Sequence, residues 1–67
     1  MEIGKVVELG ERNSGFIKRS GVKDTLFFHA DALIGMAFKD LKAGDVLNFR
    51  VTESRKGPYA TEIRRPA

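Results

Sequence analysis

The sequence predicts an all-β fold, a small barrel of five short strands. Three observations carry that expectation. Clusters of turn-forming residues recur at short intervals, "GERNSG", "SGVKD", "KAGD" and "RKGP", each rich in Gly, Asn, Asp, Pro or Ser. The segments between them are short and rich in β-branched and aromatic residues, which is the pattern of a sandwich or barrel. One segment, "DVLNFRVTE", alternates cleanly. Its Leu47, Phe49 and Val51 share one phase and Asn48, Arg50 and Thr52 the other.

Each element follows in order. Strand one is "EIGKVVEL", residues 2–9. Strand two is "GFIKR", residues 15–19, preceded by Ser14. Strand three is "TLFFH", residues 25–29. The stretch "ADALIGMAFKDLKAG" is too long for a hairpin loop, and Gly35 disfavours a full helix there. It is expected to hold a helical turn at Ala30 to Leu33, with Asp31 as its cap, and then a loop. Strand four is residues 45–53. Strand five is "YATEI", with Tyr59, Thr61 and Ile63 in one phase. Closing the sheet removes exposed edges.

Parity divides the strands into two faces. Ile17, Leu26 and Phe28 go inside with Val6, Leu47, Phe49, Val51 and Ile63. Phe16, Lys18, Phe27 and His29 are left on the outer face of two adjacent strands. The outer aromatics have two readings. They are a cross-strand pair that stabilises the sheet, or a stacking platform whose flanking cations suit single-stranded nucleic acid.

Composition sets the bounds. A chain of 67 residues is one domain, residues 1–67. At this size folding buries only about 60% of the unfolded surface, so the core is small. Twelve Lys and Arg against nine Asp and Glu give a net charge of +3, which permits a polyanionic partner without requiring one. The chain has no cysteine, hence no disulfide and no thiolate metal site. "MEIGKVVELGER" lacks the form of a signal peptide. No apolar stretch approaches the roughly 20 residues that span a bilayer. A cytoplasmic protein with no membrane partner is expected. The single histidine and the serines lack the context of a metal site or a nucleophile, and "GERNSG" lacks the ending of a phosphate loop. No enzyme activity, small-molecule substrate, metal or other cofactor is expected.

Specific motifs add to this reading. "GKV" at Gly4 to Val6 is similar to the opening GKVKWFN of the cold-shock domain family. "SGFIKR" is similar to the end of that family's KGFGFI motif, and "LFFHADAL" to its VFVHFSAI motif. "FKDLKAGDVLNFRVTESRKGPYATEI" follows the family's closing pattern in order and spacing. The chain thus resembles a cold-shock domain from Gly4 to about Ile63. The resemblance implies a five-stranded antiparallel OB-type β-barrel with a short helical turn after strand three. It also implies binding of single-stranded RNA or DNA, in the manner of an RNA chaperone or gene-expression regulator.

Carried over residue by residue, the resemblance places Phe16, Phe27 and His29 at base-stacking positions, and Phe38 at a loop phenylalanine that assists. Lys5 keeps a strand-one cation, Arg12 falls near the lysine that opens KGFGFI, and Lys18 lies beside the aromatics. Tyr59 replaces a residue that is usually polar and is flanked by Arg55 and Lys56; it is either a displaced platform or packing at the barrel end. The departures are as specific. Glu8 stands at the family's tryptophan, Val7 at a lysine, Ser14 at a phenylalanine and Ala30 at another, and the first loop is one residue shorter. Binding is therefore expected to be weak and low in sequence preference. The alternative is an OB-fold protein-interaction module with an eroded nucleic-acid face. A monomer or a homodimer fits either.

Overall fold

Alternation in the five predicted segments becomes five strands, in a computed structural model that describes residues 1–66. They are β1 (Glu2–Leu9), β2 (Ser14–Arg19), β3 (Thr25–His29), β4 (Val46–Ser54) and β5 (Gly57–Arg64). The sheet closes in the order β1-β2-β3-β5-β4, an OB-type barrel. Its pairings are antiparallel except β3 with β5, a parallel seam held at Phe27↔Tyr59. The segment between β3 and β4 holds two 3₁₀ turns, Ala30–Ala32 and Phe38–Asp40, where one turn and a loop were expected. The first turn is capped by His29 and not by Asp31: the backbone N–H of Asp31 donates to His29 Nδ1 at 3.1 Å. Among the described residues, no helix is long and apolar enough to cross a membrane.

The barrel interior holds Val6, Ile17, Leu26, Phe28, Leu41, Leu47, Phe49, Ala60 and Ile63, all buried. Val51, expected among them, is half-buried at the margin of this cluster. Gly15 and Gly4 let the strands approach closely. A Cβ on Gly15 would lie 2.5 Å from the Glu8 carbonyl oxygen and 2.9 Å from the Phe28 ring.

Two β-bulges depart from strict alternation, and both keep a glutamate out of the core. In β1 the register passes from Val6↔Ile17 to Glu8↔Phe16, so Val7 is the extra residue. Unbroken alternation from Val6 would send Glu8 inward; the bulge sends it out and turns Leu9 toward the interior. In β5 the register passes from Arg50↔Thr61 to Asn48↔Arg64. Glu62 takes φ 48° there. Ala60 and Ile63 both point inside as a result. This overturns the expected common phase of Tyr59, Thr61 and Ile63.

Candidate nucleic-acid interface

The strand registers sort the outer surface into three rows that cross the barrel. The middle row runs Glu8 (β1), Phe16 (β2), Phe27 (β3), Tyr59 (β5) and Thr52 (β4), each paired with the next. Phe16 and Phe27 meet edge to face, with ring centroids 5.9 Å apart. Such pairs contribute roughly 0.5–1.5 kcal/mol beyond burial. Phe27 nevertheless remains 43% exposed, so its ring keeps a face to solvent.

Two residues away along β2 and β3, about 7 Å, lie Lys18 and Thr25, in register with Lys5 of β1, so that this row carries two cations. Lys56 lies in the tight turn from β4 to β5 at this same end of β5. Lys18 Nζ donates to the carbonyl of Val22 at 3.0 Å, which anchors its charge over the β2–β3 loop. On the opposite side of the middle row, Ser14 pairs with His29 and Arg50 with Thr61. Ser14 Oγ donates to the carbonyl of Glu11. Because His29 Nδ1 accepts from Asp31, the neutral imidazole carries its proton on Nε2 and offers a donor there.

The sequence-predicted residues thus divide. Lys5, Phe16, Lys18, Phe27, His29 and Tyr59 share one outer surface. Arg12 sits in the β1–β2 turn, joined to it through Asn13, whose carbonyl accepts from Ala30 N–H at 2.8 Å. Phe38 is half-buried and packs on the core ring of Phe28, with centroids 6.4 Å apart. Glu8, Ser14 and Ala30 stand where the resemblance places aromatics, and the bulge at Val7 brings the Glu8 carboxylate into the aromatic row.

Sequence reasoning missed a groove between β3 and β5 of about 480 Å³. Phe27, Ile34 and Tyr59 form its apolar walls, His29 and Thr61 its polar side, and Asp31 and Glu62 its rim. The signal for it was Tyr59 itself, together with Ile34, whose backbone N–H bonds to the carbonyl of Ile63 at 2.9 Å. A second open groove, lined by Ile3, Val7 and Val46 with Lys5 and Arg19, lies over β1 on the cationic side.

Comparison with known proteins agrees with this geometry. The family model of the "Cold-shock" DNA-binding domain matches residues 2–66. Cold shock-like protein CspD of Bacillus cereus is 36% identical over 64 residues, which cover 94% of this chain and 96% of that protein. Cold shock-like protein CspD of Haemophilus influenzae is 38% identical over 64 residues, 94% of this chain and 89% of its own. Cold shock protein CspB of Geobacillus stearothermophilus is 34% identical over 64 residues, with 94% and 96% covered. On its barrel, its outer face and these matches together, the chain belongs to the cold-shock domain family, whose members bind nucleic acid.

Proposed function

We propose that this protein binds single-stranded RNA or DNA by stacking unpaired bases on its outer aromatic row. It would do so weakly and with little sequence preference. The observation that carries this reading is the Phe16–Phe27 pair on the outside of the barrel, Phe16 half-buried and Phe27 exposed, with a cationic row beside it. Each aromatic offers a π-face that any base can use, while the lysines attract phosphate. Lys5, Arg12, Lys18 and Lys56 serve the backbone. Phe16, Phe27, His29 and Tyr59 serve the bases, and Phe38 supports them from the loop. Holding bases apart in this way keeps RNA from re-pairing and needs neither ATP nor metal. That is the action of an RNA chaperone or a regulator of gene expression in the cytoplasm.

The weakness follows from Glu8, Ser14 and Ala30. Base–aromatic stacking is worth about 1–3 kcal/mol per base. Each roughly 1.4 kcal/mol is tenfold in affinity. A protein-interaction role is the second reading, favoured by exposed Ile3, Val7 and Val46 around the second groove.

The test is a titration of end-labelled oligopyrimidine of about eight nucleotides, within the usual site size of an OB fold, followed by fluorescence anisotropy. Saturable binding that weakens with salt is expected. Phe27→Ala should weaken it about 5- to 150-fold, and Glu8→Trp should tighten it. A folded protein that gives no binding at about 50 mM salt, where phosphate contacts are strong, overturns the reading in favour of the second.

A further inference from the structure

The aromatic row is asymmetric. At its β1 end stands the carboxylate of Glu8, in register with Phe16. At its β5 end stands Tyr59, in register with Phe27. Neighbouring strands lie about 4.8 Å apart, so Phe16, Phe27 and Tyr59 step across β2, β3 and β5 as three successive rings. At the β1 end of this row Glu8 repels a polyanion. The β5 side opens into the groove that Phe27 and Tyr59 both line.

We propose that Tyr59 and this groove form a base-binding subsite on β5, so that the bases stack over β2, β3 and β5 and not beside Glu8 on β1. This rests on the stacking function proposed above and adds the path and the orientation. The charges fix which part of the nucleotide enters. Asp31 and Glu62 rim the groove. Glu62 is held by Arg50 at 3.3 Å, and Asp31 lies 3.5 Å from His29. Carboxylates disfavour phosphate at that rim. The cations Lys5, Lys18 and Lys56 lie at the other side of the aromatic row, where the backbone can run. The nucleotide therefore seats base first. Its ring lies against Tyr59 and Phe27 and its edge faces His29 Nε2–H and Thr61. The Thr61 hydroxyl is already positioned by Thr52, 3.0 Å away.

The chain offers its own reporter, because Tyr59 is its single tyrosine and it has no tryptophan. The experiment titrates the native protein with the same oligopyrimidine of about eight nucleotides. Anisotropy of the labelled strand and tyrosine emission are followed together, with emission corrected against free N-acetyltyrosinamide at equal absorbance. Tyrosine emission should change with the midpoint given by anisotropy. Tyr59→Gln should weaken binding about 5- to 150-fold, and Tyr59→Phe, which keeps the ring, should stay within about threefold of native. If Tyr59→Gln fails to fold, the emission of the native protein decides. If the strand binds and Phe27→Ala weakens it, yet tyrosine emission is unmoved and Tyr59→Gln binds as native, the subsite is wrong and the stacking function stands. If no strand binds, both fail.

Discussion

Arg12 holds φ 60° and Asn13 φ 56°, a left-handed pair at the tip of the β1–β2 turn. Left-handed backbone of this kind favours Gly and Asn, because it crowds Cβ. Asn tolerates it through local hydrogen bonding; Arg does not share that advantage. The conformation disfavours Arg12 by about 1 kcal/mol. On the proposed function, a long cation at this position serves binding at a cost to folding. Arg12→Asn is expected to raise the unfolding free energy by up to about 1 kcal/mol and to weaken oligonucleotide binding at the same time. Urea unfolding and anisotropy on the same variant check the opposed signs. If stability and affinity both fall, the turn is tuned for packing and Arg12 has no separate use. Glu62, at φ 48°, is a third non-glycine residue in the same region. Its position there is what allows Ala60 and Ile63 to be buried together.

At the level of the strand, alternation decides most of what the sequence reveals, and bulges decide the rest. β1 and β3 have the boundaries that composition predicted, and Ile17, Leu26, Phe28, Leu47 and Phe49 are buried where parity put them. A bulge is one extra residue with no composition of its own, so neither Val7 nor Glu62 announced it. Leu41 and Ala60 were not anticipated in the core. Leu41 lies beyond the strands, at the end of the second 3₁₀ turn. Ala60 faces inward only because β5 changes phase after it. On the candidate face, Phe16, Phe27 and His29 were legible from period two. The Phe27↔Tyr59 pairing was not, since a parallel seam between non-consecutive strands leaves no local signal. Close strand packing makes a further prediction. Gly15 sits between Glu8 and the Phe28 ring, with backbone on one side that cannot give way. Gly15→Ala should destabilise the barrel by about 1–3 kcal/mol through overpacking. Gly10→Ala, whose added Cβ would meet nothing closer than 3.8 Å, should stay within about 0.5 kcal/mol of native. Urea midpoints at constant slope distinguish the two. Equal midpoints would mean that β1 and β2 can separate at Gly15 without loss.

For the molecule as a whole, folding and binding draw on different forces. The barrel is held by a buried apolar cluster, and among the described residues its arginine–carboxylate pairs, Arg19–Glu2 at 3.1 Å, Arg50–Glu62 at 3.3 Å and Arg65–Asp45 at 3.5 Å, are exposed or partly exposed. Exposed pairs contribute little and are screened by salt. At about 0.05–0.15 kcal/mol per residue, a domain of this length has a total stability on the order of 3–10 kcal/mol. Apolar burial accounts for the favourable side of it. Binding to a polyanion instead releases counterions, with a slope of about −0.7 per neutralised phosphate on a single strand. Lys5, Arg12, Lys18 and Lys56 can together neutralise about 2–4 phosphates. On the proposed function, raising salt from about 50 to about 200 mM should then weaken oligonucleotide binding about 7- to 50-fold. Over the same range the unfolding free energy should change by less than about 1 kcal/mol. Anisotropy titrations and urea unfolding in matched buffers measure both. Affinity that is flat in salt while stability holds would assign the outer face to apolar contact and return the cations to the role of solubility. Affinity and stability falling together would show instead that the barrel depends on its surface ion pairs, against the burial pattern of its core.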